Sequence, residues 1–333
     1  MRVIAEYGRD DLAKVYVARM REAETDKQAK GEYMIEFVES LQPPNPRERK
    51  WVLIVSSMFG CPIRCKMCDA GGNYSGKMTA EEIVSQVDYV VRRRYPDGKV
   101  PSDKFKVQFA RMGEPTLNPA VLDALRMLPK MFDAPGLYAS LSTVAPKQGG
   151  APDVLDRLIE VKNDCYANGR FQLQFSIHTT DEDKRDEMIP SKKLSLEEIA
   201  NYCERFIDLE AGDKKVTLNF APAEGYPIDV AVVRRHFNPA KFIIKLTPLN
   251  PTVRSREESL ISIIDPHIDD PSRGLVEEFG RNGYDVILSI GELEENRIGS
   301  NCGQFIQRAI QAEERPRESY ELDRYQVNCD AAK

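Results

Sequence analysis

Six short apolar runs separated by helical patterns predict an α/β protein built as a (β/α) barrel, open or closed. The runs are Trp51–Ser57, Phe105–Ala110, Leu137–Ser142, Phe171–Ile177, Val216–Ala221 and Phe242–Pro248. The helical candidates are Thr79–Arg94, Pro119–Leu128, Pro152–Lys162, Ser195–Leu209 and Ser272–Arg281. Strands that alternate with helices become parallel neighbours, because a parallel pair needs a crossover connection. The first helix opens with Thr79-Ala-Glu-Glu82, in which the Thr79 hydroxyl and the Glu82 carboxylate can each satisfy a free backbone N–H. In such a barrel the functional site is expected at the C-terminal ends of the strands.

The chain has 333 residues, enough for one large α/β domain. With 41% hydrophobic and 30% charged residues it has a globular balance, and no stretch holds the ~18–20 uncharged apolar residues of a membrane helix. The first residues, MRVIAEYGRDDLAKVY, carry charges where a signal peptide needs an apolar run, so a cytoplasmic protein without membrane contact is expected. A net charge of −6 argues against an extended nucleic-acid footprint.

Residues 1–50 read as a short extension, with a helix over Asp11–Glu24 and a strand within Gly31–Leu41 that is ended by Pro43, Pro44 and Pro46. Residues 51–290 form the barrel core, and 291–333 a C-terminal segment carrying Cys302.

Seven cysteines could suggest a disulfide framework, but three of them fall within eight residues, a clustering that suits metal binding better. Cys61-Pro-Ile-Arg-Cys65-Lys-Met-Cys68 follows the first barrel strand and supplies three soft ligands. A 4Fe–4S cluster held by Cys61, Cys65 and Cys68 keeps one iron open for a small chelating ligand. Zinc is the alternative, yet a structural zinc site is closed by a fourth ligand, and His178, His236 and His267 all lie far from the loop in sequence.

The C-x3-C-x2-C spacing resembles that of the radical S-adenosylmethionine (SAM) superfamily, which implies that SAM chelates the open iron and is cleaved reductively to a 5′-deoxyadenosyl radical. Further segments, between about Gly31 and Ile306, resemble the RlmN/Cfr-type RNA adenine methyltransferases. Val55-Ser56-Ser57 and Gly60-Cys61 are similar to the segment that leads into the family's cluster. Met112-Gly113-Glu114-Pro115 follows the second barrel strand, and the resemblance implies that Gly113 and Glu114 hold the SAM amino group. Leu141-Ser142-Thr143, Ser176-Ile177-His178 and Pro248-Leu249-Asn250-Pro251 each end a strand. By the same resemblance, Ser142, Ser176, His178 and Asn250 contact SAM. Asn301-Cys302-Gly303-Gln304 is similar to the family's A-C-G-Q, which implies that Cys302 accepts a methyl group from SAM before its transfer to substrate. Thiolate nucleophilicity suits that role, against the commoner fate of a lone cysteine as a small buried apolar residue.

Three features depart from the family. Ile54 stands where the family has a second catalytic cysteine, and Cys165, Cys203 and Cys329 are the remaining thiols. Glu39 in Phe37-Val38-Glu39-Ser40 resembles the family's general-base glutamate, while Glu36, read as facing the same side of the strand, competes with it. Too few residues precede the Gly31–Leu41 strand for the family's N-terminal RNA-binding domain, and basic groups are scattered as Arg92–Arg94, Lys192–Lys193 and Arg234–Arg235. The expectation is a radical SAM methyltransferase acting through Cys302 on an sp2 carbon of a small molecule or peptide, with flavodoxin or ferredoxin as electron donor. An RNA methyltransferase lacking the accessory domain is the alternative. A third possibility is a radical enzyme that abstracts hydrogen directly from its substrate.

Overall fold

Alternation along the strands gives each a greasy and a polar side. In Lys104–Phe109 the side chains of Phe105, Val107 and Phe109 are buried, while Lys104, Lys106 and Gln108 turn the other way. In Phe171–Ser176 the apolar Phe171, Leu173 and Phe175 alternate with Gln172, Gln174 and Ser176. Parallel strands covered on both faces are usually apolar throughout. Polar residues at every second position therefore mark a wall that faces a polar interior.

The computed structural model describes residues 1–22, 33–41, 43–268, 272–291 and 293–300. The chain opens with β1 (Arg2–Gly8), β2 (Ala13–Arg19), β3 (Met34–Ser40) and β4 (Lys50–Val55). A hairpin of β5 (Met58–Cys61) and β6 (Gly72–Lys77) follows, then α1 (Ala80–Arg94), β7 (Lys104–Phe109), α2 (Ala120–Met131) and β8 (Leu137–Thr143). Next come α3 (Ala151–Cys165), β9 (Phe171–Ser176), α4 (Glu182–Met188), α5 (Leu196–Phe206), β10 (Val216–Phe220) and α6 (Val230–His236). The described chain ends with β11 (Phe242–Leu246), α7 (Val253–Glu257), α8 (Leu275–Arg281), β12 (Asp285–Leu288) and α9 (Leu293–Ile298).

The main sheet has ten strands in the order β1-β2-β3-β4-β7-β8-β9-β10-β11-β12. From β4 to β12 every neighbouring pair is parallel, whereas β1, β2 and β3 run antiparallel and join through the pairing of Val38 with Ile54. The two edge strands are unpaired with each other among the described residues, so the barrel is open. All six predicted barrel strands form. The short β12 is a seventh that sequence periodicity missed, since four residues, Asp-Val-Ile-Leu, carry too little pattern.

The greasy side packs under helices. Trp51 stacks on Phe105 at 4.9 Å between ring centroids, and both are fully buried. Helix α1 begins with the expected capping box: Thr79 Oγ1 accepts the Glu82 N–H, and the Glu82 carboxylate accepts the Thr79 N–H. Gln86 on α1 binds both the N–H and the carbonyl of Ser56, at 2.9 Å each, and so ties the helix to the end of β4 just before the cysteine loop.

The expected helix over Asp11–Glu24 is wrong for its described part, because Ala13–Arg19 is the strand β2. Val15, Tyr16 and Val17 favour the pleated surface, and β2 is paired on both sides, with β1 and β3. The charged residues that read as a helix surface, such as Lys14 and Arg19, alternate with buried ones on a strand instead. Residues 1–50 thus prolong the barrel sheet rather than stand beside it.

Candidate active site

The strand ends surround a cavity of about 660 Å3. Cys61, Cys65, Cys68, Gly113, Glu114, Ser142, Ser176, His178 and Asn250 all line it, so nine of the eleven predicted site residues meet in one place. Cys302 lies outside the described residues. Glu39 is not brought to the cavity.

The cysteine loop leaves β5 and returns into β6. It closes tightly, with the Cys68 N–H on the Cys65 carbonyl and the Gly71 N–H on the Cys68 carbonyl, at 3.1 Å each. A Cβ at Gly71 would lie 2.8 Å from the Arg64 Cα, so only glycine permits this close return. Side contacts hold the loop over the mouth. Thr252 Oγ1 donates to the Met67 carbonyl at 2.8 Å, and the buried Asp69 carboxylate accepts the Val253 and Arg254 N–H groups at the start of α7. These bonds also fix the Asn250 turn against the cysteine loop.

Burial, and then the neighbouring thiols, push Cys61 up to about 12 and raise Cys65 above its ordinary value. Thiols that raise one another share a small space, and a bound metal centre relieves the cost of their ionisation. Among the described residues no three His, Cys, Asp or Glu side chains converge to hold a single metal ion. Three thiols spread around one loop instead fit a multi-iron body, in which each sulfur binds a different iron.

Gly113 turns with φ +98°, and a Cβ there would stand 2.6 Å from the Met58 Cβ. The turn delivers Glu114 into a fully protein-lined position. Its Oε1 accepts from the Thr116 N–H, Thr116 Oγ1 and Thr143 Oγ1, and its Oε2 accepts the Val144 N–H at 3.0 Å. Burial raises its pKa against the pull of these donors. An ammonium bound to Oε2, which has one partner here, would restore the anion. His178, at φ +66°, accepts the Ala221 N–H on Nδ1 at 3.2 Å, and burial followed by Arg185 lowers it to about 4. The ring is therefore neutral near pH 7, with its proton assigned to Nε2 as a donor. Ser142 Oγ and Asn219 Oδ1 are buried and without a hydrogen-bond partner, and both residues line the cavity. Orphaned polar atoms in a cavity wall suit a polar ligand. The donor set thus fits both the cluster and SAM.

Glu36 and Glu39 point to opposite sides of β3, since three residues separate them and strand side chains alternate; the reading that put them on one face is corrected. Glu39 is buried beneath α1, where it accepts from Tyr16 Oη at 2.9 Å, Trp51 Nε1 at 3.0 Å and Arg94 Nη2 at 2.9 Å. On the opposite side, Glu36 pairs with Arg111 Nη2 at 2.7 Å. The same guanidinium, which lines the cavity, donates to the Gly299 carbonyl at 2.7 Å and the Ser300 carbonyl at 3.4 Å. Ser300, two positions before Cys302 in the sequence, lines the cavity too. Ile54 also lines the cavity, at the position where the family has its second cysteine. Cys165 and Cys203, carried on α3 and α5, do not.

Sequence reading missed Arg111, Asn219 and the lysines Lys50 and Lys245, all in the cavity wall. Their signal was present as the polar alternation of otherwise apolar strands.

No family model matches the chain. Over 191 residues it is 29% identical to the dual-specificity RNA methyltransferase RlmN of Halorhodospira halophila (strain DSM 244 / SL1), a match covering 56% of this chain and 48% of the relative. The chain thus spans about half the length of the curated relative it matches. In fold it resembles a radical SAM methyltransferase from Sphaerobacter thermophilus, with TM-score 0.62 and 20% identity over 86% of this chain and 76% of that one. At that identity the second likeness is one of fold alone. The open barrel and its three-cysteine loop define a radical SAM protein. Within that class the chain is RlmN/Cfr-like, and a 4Fe–4S cluster with SAM is the cofactor pair of the class.

Proposed function

We propose that the chain is a radical SAM methyltransferase that works through Cys302 on an sp2 carbon of a non-RNA substrate, a small molecule or a peptide. One observation carries this reading: nine residues chosen for their motifs meet around a single cavity at the strand ends. Cys61, Cys65 and Cys68 hold the cluster. Glu114 faces the SAM ammonium, helped by the Gly113 turn, and Ser142, Ser176, His178 and Asn250 supply polar contacts. Neutral His178 donates from Nε2 and moves no proton at neutral pH. Bound there, the cluster and SAM supply a 5′-deoxyadenosyl radical, which abstracts hydrogen from methylated Cys302 so that its carbon can add to the substrate.

Cys302 takes its methyl by displacement on SAM: the new S–C bond forms as the methyl–sulfonium bond breaks, and S-adenosylhomocysteine leaves. Arg111, by gripping the carbonyls of Gly299 and Ser300, positions the segment that leads to Cys302. A flavodoxin or ferredoxin delivers the electron. The RNA reading stays open on one observation, the RlmN relative, whose name assigns it an RNA substrate.

Anaerobic incubation of reconstituted protein with methyl-deuterated SAM tests the proposal. Peptide mass spectrometry should find a labelled methyl on Cys302, together with 5′-deoxyadenosine once dithionite is added. Robust 5′-deoxyadenosine with an unmodified Cys302 refutes the carrier role. Salt-sensitive RNA binding with methylation of adenine would move the substrate to RNA.

A further inference from the structure

The inner wall of the barrel carries more positive charge than the SAM contacts use. Lys50 and Lys245 line the cavity. Lys106 lies on the same face of β7 as Gln108, which lines it as well. Strands β7 and β11 are four places apart in the sheet, which in a flat sheet is roughly 19 Å. Lys106 nevertheless feels the charge of Lys245, and that of Lys104 and Lys50, so the curvature of the barrel turns these ammonium groups towards one another. Burial, and then these neighbours, bring Lys106 down to about 7.

No carboxylate is paired with Lys50 or Lys106 among the described residues. The two glutamates in the cavity wall are engaged elsewhere: Glu114 by Thr116, Thr143 and Val144, and Glu295 by Ser40 and Ser300. Asn219 supplies a second observation. It is paired in register with Lys245 on one side and Ser176 on the other, it is 8% exposed, and its Oδ1 has no partner. Gathering ammonium groups in a partly desolvated space without counter-ions is costly, and an anion that enters the space offsets the cost.

We infer that this wall is the substrate subsite, and that it takes an oxyanion of the substrate, a phosphate or a carboxylate, on Lys50, Lys106 and Lys245 while Asn219 accepts a hydrogen bond from a hydroxyl or amino group of the same molecule. The inference rests on the proposed function for the word substrate, and it narrows the substrate class to a small anionic molecule. The reacting carbon then lies towards the mouth, between the anion and the cysteine loop.

The test uses anaerobically reconstituted protein saturated with SAM, so that the SAM carboxylate does not compete as an unfilled site. Inorganic pyrophosphate and citrate are titrated separately by calorimetry, which separates the phosphate from the carboxylate source. Saturable one-to-one binding of at least one anion is expected, weakened about tenfold or more in Lys245→Gln and in Lys50→Gln. Lys245→Arg should retain binding, which guards against loss through misfolding. Lys215→Gln, on the exterior where Lys215 pairs with Asp285, should bind as the unaltered protein does. Failure of both anions to saturate, or equal binding by the Gln variants and the exterior control, overturns the inference. SAM cleavage by dithionite in the same preparation reports separately on the proposed function. Cleavage without anion binding removes only the subsite, and anion binding without cleavage removes only the radical reading.

Discussion

The two sides of β3 carry glutamates with opposite fates. Glu39 sits under α1 and is consumed by Tyr16, Trp51 and Arg94, while Glu36 faces the cavity side and holds Arg111. A carboxylate saturated by three donors in a helix–sheet seam maintains the fold. One that orients a cavity-wall arginine, and through it the backbone at Gly299 and Ser300, bears on the chemistry. The same side chain on the same strand therefore serves different ends according to which face it occupies.

The contrast can be broken most severely at Glu39. Glu39→Ala leaves the Arg94 guanidinium and two buried donors without their acceptor, and should cost about 3–5 kcal/mol in denaturant unfolding. SAM cleavage per folded molecule should be unchanged, and a specific loss of turnover in a stable Glu39→Gln protein would restore it as a general base. Next comes His178. Its folded pKa of about 4 lies below the ordinary 6.5, so the unfolded chain binds more protons between these values and stability falls as pH drops through that window. The loss is about 3 kcal/mol at most, and His178→Asn should flatten the acid limb of an unfolding curve measured from pH 7 to pH 4.

On the cavity side, Glu114→Gln keeps the size but removes the charge offered to an ammonium. SAM affinity should fall about 10- to 100-fold with little change in melting temperature, as followed by equilibrium dialysis. An unaltered affinity would take Glu114 out of the SAM site. The smallest effect belongs to the outer layer, where Thr79→Ala deletes one cap of α1. A loss of about 1 kcal/mol with normal SAM affinity is expected, and a larger effect on affinity than on stability would show that α1 reaches the cavity through Gln86.

The cysteine loop and the strand-end motifs were legible because their chemistry is local. Cys61, Cys65 and Cys68 lie within eight residues, and the Gly113 turn needs only its own φ and the nearby Met58. The capping box at Thr79 was equally local. Strand β2 was misread because Ala13–Arg19 carries strand-forming and charged residues together, and the choice is made by pairing with β1 and β3. Strand β12 was missed for want of length.

The run of residues along the chain determined the alternation of strand and helix, the three-thiol loop and the glycine at each tight turn, all of which depend on neighbours a few positions away. Tertiary structure alone decided that Glu36 and not Glu39 meets Arg111, that Asn219 is left without a partner for Oδ1, and that Lys50, Lys106 and Lys245 face a common space. The physical reason is curvature. Period-two alternation assigns each side chain to one of two faces, but only the closing of the sheet makes one face an interior and brings strands far apart in the sheet within reach of each other's charge.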